Sequence, residues 1–428
     1  MIHEDLVARE LGATMQGLHT YRPGTDRVVE LARQQLGMDV AFLSEWRDGQ
    51  QVFRSLDGTA DSFGLRRDEA SPLPDSYCQR VVDGRMPNTI PDTGAERAVQ
   101  NLPATTERGI GAYIGVPVLL SDGSQYGMLC GMSHASEPTL NQRDVRFLSV
   151  LASLVADEVE AATAVDERQQ ALHERITEVI REASFEVVFQ PIIALRSERA
   201  AGYEALSRFS AQPTQPPDAW FTDAAAAGLQ VELELATATA AVRQLSKLPP
   251  ATFMAINCSP ATISHPRLRR LLATVDRRRI VLELTEHTQI DDYAALRDSV
   301  GLLRRKGVRL AIDDAGAGYS SLRHIVQLAP DLIKVDIGLV RSIHQDPARR
   351  ALVSSLAQFA RETNAQLVAE GIEEQAELET LLSLRVTFGQ GYLLGRPSPL
   401  LGARDQARAR KITPVPFIKR RGAESRAI

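Results

Sequence analysis

Val308-Arg309-Leu310-Ala311-Ile312-Asp313-Asp314, followed by Ala315-Gly316-Ala317-Gly318-Tyr319-Ser320-Ser321, is the stretch whose reading decides the fold. An apolar run ends in two adjacent carboxylates, after which glycines free the backbone to turn. Side chains alternate across a strand, so neighbouring aspartates at its end point two ways. One faces a barrel mouth and the other reaches round a site from the loop. Two acids side by side repel unless a cation or a proton lies between them. Taken alone, the pair also reads as helix-capping aspartates before a turn. The recurrence of the same design at other strand ends overturns that reading.

From Phe185 onward, short apolar strands alternate with helical stretches. The strands read as Phe185–Gln190, Ala200–Glu204, Phe253–Asn257, Ile280–Leu284, Val308–Asp313, Asp331–Lys334, Gln366–Glu370 and Val386–Gln390. Eight strands with intervening helices such as Val231–Leu248, Tyr293–Arg305, Ala348–Thr363 and Gln375–Leu384 predict a (β/α)8 barrel of TIM-like type. Turn-like Arg196-Ser197-Glu198-Arg199 leaves too little chain between the first two strands for a parallel crossover. That pair is expected to be antiparallel.

Active sites of such barrels lie at the C-terminal ends of the strands. Those ends supply Glu204, Asn257, Glu283, Asp313 with Asp314, Lys334, Glu370 and Gln390. Five carboxylates, two amides and a lysine make an oxygen-rich set, which suits Mg²⁺ or Mn²⁺ rather than Zn²⁺. Five acids exceed the needs of one ion. Two divalent cations are the usual answer, clamping the attacking and leaving oxygens of a phosphoryl displacement.

At these residues the sequence resembles the EAL phosphodiesterases, which hydrolyse cyclic di-GMP. Glu204-Ala205-Leu206 is the name-giving motif, with Arg208 two residues on and Gln190-Pro191-Ile192 before it. Asn257 lies in Ile-Asn-Cys-Ser-Pro, Glu283 in Glu-Leu-Thr-Glu, Lys334 in Ile-Lys-Val-Asp, Glu370 in Ala-Glu-Gly-Ile-Glu and Gln390 in Gly-Gln-Gly-Tyr. The resemblance assigns Glu204, Asn257, Glu283 and Asp313 to a first metal, with Asp313 bridging to a second completed by Asp314 and Glu370. It places Lys334 beside the attacking water, with Gln390 helping to position it. Glu286 would anchor the Asp313–Ser321 loop, although read alone it is a surface acid. Gln190, Leu206, Arg208, Asp336, Glu373 and Tyr392 would contact substrate, and a guanidinium suits a phosphate. For Lys334, a base would need a lowered pKa, whereas the surrounding carboxylates push it upward, so an electrostatic role is favoured. The family loop commonly reads Asp-Asp-Phe-Gly-Thr-Gly; here Ala315 and Ala317 replace Phe and Thr. No metal ligand is lost, but activity is expected to be lower or more dependent on regulation.

The N-terminal part has a different pattern. An amphipathic helix from Thr25 stops at Gly37. Strand pairs flank Arg47-Asp48-Gly49-Gln50 and Ser121-Asp122-Gly123, as hairpins do. Residues 20–160 therefore predict an α+β domain built on an antiparallel sheet with helices. Tyr77-Cys78, Pro91-Asp92, Gly115-Val116-Pro117-Val118 and Gly127-Met128-Leu129-Cys130 resemble a GAF domain, a sensor module for small molecules or other signals. Cys78 reads as a buried structural cysteine, against the rarer redox or chromophore-bearing thiol. Apolar residues at helical spacing over Asn141–Arg181, among them Leu148, Leu151, Val155, Val159, Ile176 and Val179, suggest a two-helix seam in a homodimer.

The expected organisation is a lead-in at 1–20, a GAF-like domain at 21–160, a helical linker at 161–183, the barrel at 184–402 and a basic tail at 403–428. Across 428 residues, 44% apolar and 24% charged, the chain has an ordinary globular composition, and its net charge of −5 disfavours general nucleic-acid binding. Three distant cysteines make no disulfide framework and fit a reducing cytoplasm. No signal peptide, membrane-inserted span or zinc motif is read. A sensor-regulated cytoplasmic phosphodiesterase that opens cyclic di-GMP to linear pGpG is the expected function. The alternative is a catalytically weak or inactive cyclic di-GMP receptor. No GGDEF-like stretch points to synthesis.

Overall fold

The computed structural model describes residues 23–400 apart from 75, 285–289, 291 and 317–318. The expected lead-in, Glu286, Ala317 and the basic tail lie outside the described residues. The chain divides into two compact units, Met1–Arg168 and Gln169–Ile428.

In the first unit the helix Pro23–Leu36 precedes β1 (Val40–Arg47) and β2 (Gln50–Gly58). Asp48 and Gly49 both have positive φ, which matches the right-handed twist of the strands that they join. With β3 (Ala70–Pro72), β4 (Thr89–Ile90), β5 (Ala112–Leu119) and β6 (Gln125–Ser133), they form an antiparallel sheet of order β3-β2-β1-β6-β5-β4. Alternation along β1 divides the core in two. Ala41 and Leu43 pack with Val29, Leu148 and Val155 of the longer helices. Val40 and Phe42 pack on the opposite side with Phe53, Tyr77, Tyr113 and Cys130.

The helix Gln142–Glu182 is 41 residues long. Its Leu148, Leu151, Val155 and Val159 are buried in the first unit, and its Ile176 and Val179 beside Trp220 and Leu233 in the second. The residues whose spacing suggested an inter-chain seam are thus occupied within the chain. Val150, Leu154 and Val165 are the large apolar side chains left exposed among its described residues. Among the described residues no helix is long and apolar enough to cross a membrane.

The second unit is a closed barrel of β7 (Phe185–Ala194), β8 (Arg199–Phe209), β9 (Phe253–Asn257), β10 (Ile280–Leu284), β11 (Arg309–Ala315), β12 (Leu332–Val335), β13 (Gln366–Ala369) and β14 (Phe388–Gly389). Strand β7 runs antiparallel to both its neighbours, β8 and β14, as the short β7–β8 connection required. The other neighbouring pairs are parallel.

Inside the barrel Ile192, Ala255, Val281, Ala311, Leu332, Val368 and Phe388 form one apolar layer. Burying a large apolar side chain stabilises by about 1.5–3 kcal/mol, so this floor, drawn from every barrel strand but β8, anchors the strands below the polar groups. Two residues further along each parallel strand, the period-two alternation brings the next inward side chain to the mouth. That step runs from Ala255 to Asn257, Val281 to Glu283, Ala311 to Asp313, Leu332 to Lys334, Val368 to Glu370 and Phe388 to Gln390. On reversed β7 it runs backward, from Ile192 to Gln190. Glu204 follows Gly202, where a Cβ would meet the Phe253 ring at 2.4 Å. Glu204 lies inside β8 rather than at its end, because β8 continues to Phe209 against β7 while its pairing with β9 stops at Ala205.

Candidate active site at the barrel mouth

Lys334 occupies the centre of the mouth with 1% of its surface exposed. Its Nζ lies 2.7 Å from Glu370 Oε1, 2.8 Å from Glu283 Oε2, 3.0 Å from Asp313 Oδ1 and 3.6 Å from Glu204 Oε1. Four strands thus place carboxylates around one ammonium. Gln390 Nε2 donates to Glu204 Oε2 at 2.6 Å and to Gln190 Oε1 at 2.9 Å, and Gln190 Nε2 donates to the Gly395 carbonyl. Asn257 Nδ2 donates to Glu204 Oε1 at 3.1 Å. Among the described residues, the buried Asn257 Oδ1 and Gln390 Oε1 accept no hydrogen bond.

Asp314 follows with φ of 52°, and its N–H donates to Asp313 Oδ1. The left-handed backbone lets consecutive aspartates face one site, a conformation that non-glycine residues seldom adopt outside Asn and Asp. Carboxylate oxygens of Asp313, Asp314 and Glu370 lie within 4.8 Å of one another. At that spacing each pair of like charges repels by about 3–4 kcal/mol at an effective dielectric constant near 20.

Burial and this crowding set the protonation states. Burial would lower the Lys334 pKa, but Asp313, Glu204, Glu283 and Glu370 together lift it well above the usual lysine value, so the ammonium keeps its charge. Burial drives Glu283 well above the carboxylate range, and Glu204 and Asp313 add to the rise. Glu370 is raised to about 8, first by burial and then by Asp313 and Glu204, with Lys334 opposing. Burial also disfavours the charged form of Glu204, yet Lys334 and the hydrogen bonds from Gln390 and Asn257 outweigh it and hold its pKa below the usual value.

Two cavities open beside this cluster. One of about 320 Å³ is lined by Gln190, Glu204, Leu206, Lys334, Glu370, Glu373, Gln390 and Tyr392. Gly391 lies in this wall with φ of 153°, where a Cβ would fall 2.2 Å from the Ile372 backbone nitrogen. The other cavity, of about 470 Å³, is lined by Arg208, Asn257 and Asp313 with the apolar Val187, Phe221 and Ile256. Glu373 is paired with Arg341 at 2.8 Å. Asp336 lines neither cavity; its carboxylate caps the helix Ile337–Val340 by accepting from the Gly338 N–H.

The strand-end argument missed Glu234, which lies in the helix Gln230–Val242. Its buried Oε2 accepts from the Ser259 N–H at 2.8 Å and from Ser259 Oγ at 2.9 Å, tying down the turn that follows Asn257. The available signal was helical spacing: the buried Ala238 and Ala241 follow Glu234 at i+4 and i+7 on one face of the helix.

An alternating (β/α) barrel with an acidic mouth built round a buried, charged lysine is the class that fold and site define. A family model described as EAL domain matches residues 170–397, and one described as GAF domain matches residues 25–160. The chain belongs to the EAL domain family and carries an N-terminal GAF domain. It is 28% identical over 243 residues to cyclic di-GMP phosphodiesterase PdeF of Escherichia coli K12, covering 54% of this chain and 32% of that protein. It is 31% identical over 222 residues to the probable cyclic di-GMP phosphodiesterase PdeG of the same organism, covering 49% of this chain and 44% of that protein. The chain therefore spans less than half the length of these curated relatives. The solved structure of the EAL enzyme Bd1971 in its cAMP-bound form covers 87% of this chain and is covered to 93%, with a TM-score of 0.52 at 20% identity. That is a likeness of fold.

Proposed function

We propose that the protein is a sensor-regulated, cytoplasmic phosphodiesterase that hydrolyses one phosphodiester of cyclic di-GMP to give linear pGpG. The observation that carries this reading is the ring of carboxylates round Lys334. Glu204, Glu283, Asp313, Asp314 and Glu370 set five formal negative charges against one positive, a formal −4. Two divalent cations, Mg²⁺ or Mn²⁺, match that charge, and the donors are oxygens of the kind that such hard ions take. The orphaned Asn257 Oδ1 supplies a further uncharged donor. The names of the relatives PdeF and PdeG support the choice of substrate.

Glu204, Asn257, Glu283 and Asp313 would hold one ion, and Asp313, Asp314 and Glu370 the other. Bound there, such ions lower the pKa of water and neutralise charge that develops on the phosphoryl group. Lys334 acts as a fixed positive charge and hydrogen-bond donor, with Gln390 orienting groups beside Glu204. Arg208 holds a phosphate from the rim of the larger cavity, whose apolar walls accommodate a base. Gln190, Leu206, Glu373 and Tyr392 line the other side of the ligand. The water oxygen bonds to phosphorus as one ester P–O bond breaks; water gives up a proton to solvent, and the leaving ester oxygen takes one up to become a ribose hydroxyl.

A homodimer and a small-molecule or other signal at the GAF domain belong to the same reading. The test is turnover of cyclic di-GMP by the purified chain with Mg²⁺ or Mn²⁺, beside a folded Glu204→Ala variant. Formation of pGpG that ceases with EDTA and in the variant is the expected result. Binding of cyclic di-GMP without hydrolysis under every metal condition would overturn it.

A further inference from the structure

The sulfur atoms of Cys78 and Cys130, 52 residues apart in sequence, approach to 3.7 Å in the core of the first unit. Cys78 is 2% exposed and lies in the helix Tyr77–Val82; Cys130 is fully buried on β6. The Tyr113 hydroxyl stands over the pair, 3.3 Å from Cys130 Sγ and 3.9 Å from Cys78 Sγ. Room for this cluster comes from Gly115, where a Cβ would lie 2.1 Å from the Tyr113 hydroxyl and 2.9 Å from Cys130 Sγ. Cys78 and Tyr113 also line a cavity of about 340 Å³, walled by Phe42, Phe53 and Met132 among others. Two thiols are thus in contact, and one of them faces a space wide enough for a small reagent.

We propose that Cys78 and Cys130 are a peroxide-oxidised dithiol that closes to an intramolecular disulfide at the floor of this cavity. The Cys78 sulfur, entered from the cavity, attacks hydrogen peroxide as its thiolate. The O–O bond breaks, the departing oxygen leaves as water after taking up a proton, and Cys78 becomes a sulfenic acid. The Cys130 sulfur then bonds to the Cys78 sulfur, the S–O bond breaks and a second water leaves with the Cys130 proton. Two thiols and one peroxide give one disulfide and two waters; the sulfurs lose two electrons and the peroxide oxygens gain them. Burial pushes the Cys130 thiol well above its usual pKa, which slows reaction with bulk reagents. Contact with Cys78 offsets this, because attack within a pre-assembled pair is effectively unimolecular. The Tyr113 hydroxyl can donate to whichever sulfur carries charge. Cys258, buried at 2% in the barrel unit, has no such neighbour among the described cysteines and serves as an internal control.

The test is read by mass and is independent of phosphodiester hydrolysis. Reduced full-length protein is exposed to hydrogen peroxide, denatured, alkylated and digested without reductant. The expected product is a Cys78–Cys130 cross-linked peptide two hydrogen masses below the sum of its parts, lost on reduction, with Cys258 still alkylated. Cys78→Ser should abolish the cross-link and leave Cys130 alkylatable. Recovery of both cysteines as alkylated peptides, over-oxidation of Cys78 with Cys130 untouched, or hybrid cross-links in a mixture of isotope-labelled and unlabelled chains would each overturn the proposal.

Discussion

Lys334 lies within 3.6 Å of four carboxylates, and its charge decides what it can do in catalysis. A general base must be neutral near the working pH, and this ammonium is stabilised by Asp313, Glu204, Glu283 and Glu370 against the opposing effect of burial. In the proposed hydrolysis it would therefore serve as a donor and a fixed charge. Lys334→Met should lower kcat by about 100-fold or more at saturating metal, the scale seen when a preorganised charge or donor at a reacting centre is removed. Near-normal turnover, measured at several metal concentrations, would refute an essential role. Most of this site was legible because acids and amides at strand ends are a residue-level signal. Glu234 was not, because helical spacing marks its face as inward without showing that its carboxylate reaches Ser259. Nor was the Cys78–Cys130 contact, since sequence separation hides what a sheet and a helix bring together.

Elements explain where that legibility stopped. The short β7–β8 connection correctly implied an antiparallel pair, but a reversed strand also inverts the strand-end rule. Gln190 reaches the mouth from within β7, in register with Glu204, and neither residue terminates its strand. Apolar periodicity in the helix Gln142–Glu182 revealed a helix without revealing what each stripe faces. Leu148, Val155 and Val159 are buried in the core of their own unit, so they cannot also join two chains. If the helix pairs with a second copy, Val150, Leu154 and Val165 are the apolar residues available for it. Leu154→Glu with Val165→Glu should then convert a dimer to a monomer in sedimentation velocity without changing the melting temperature of the isolated monomeric state. A wild-type monomer at micromolar concentration, or a dimer that survives both charges, would rule out this face.

At the scale of the whole molecule, the acidic mouth links folding to pH and to cations. Glu370 titrates at about 8 in the fold, and Glu283 is also raised, both chiefly through burial. In the unfolded chain a glutamate titrates near 4.3, so between roughly pH 4.3 and 8 the folded state holds protons that the unfolded state has released. Stability of the metal-free protein must therefore fall as pH rises through this window, by about 1.4 kcal/mol per pH unit for each extra proton held. The low Glu204 pKa works the other way, but only below the usual carboxylate range. Divalent cations held as proposed would compete with those protons for the same oxygens and stabilise the fold by binding it in preference to the unfolded chain. Melting curves with EDTA and with saturating Mg²⁺ or Mn²⁺ should diverge progressively from pH 6 to pH 8, with the EDTA curve moving down. A gap that stays constant or narrows over that range would show that the carboxylates round Lys334 are not where the cations bind.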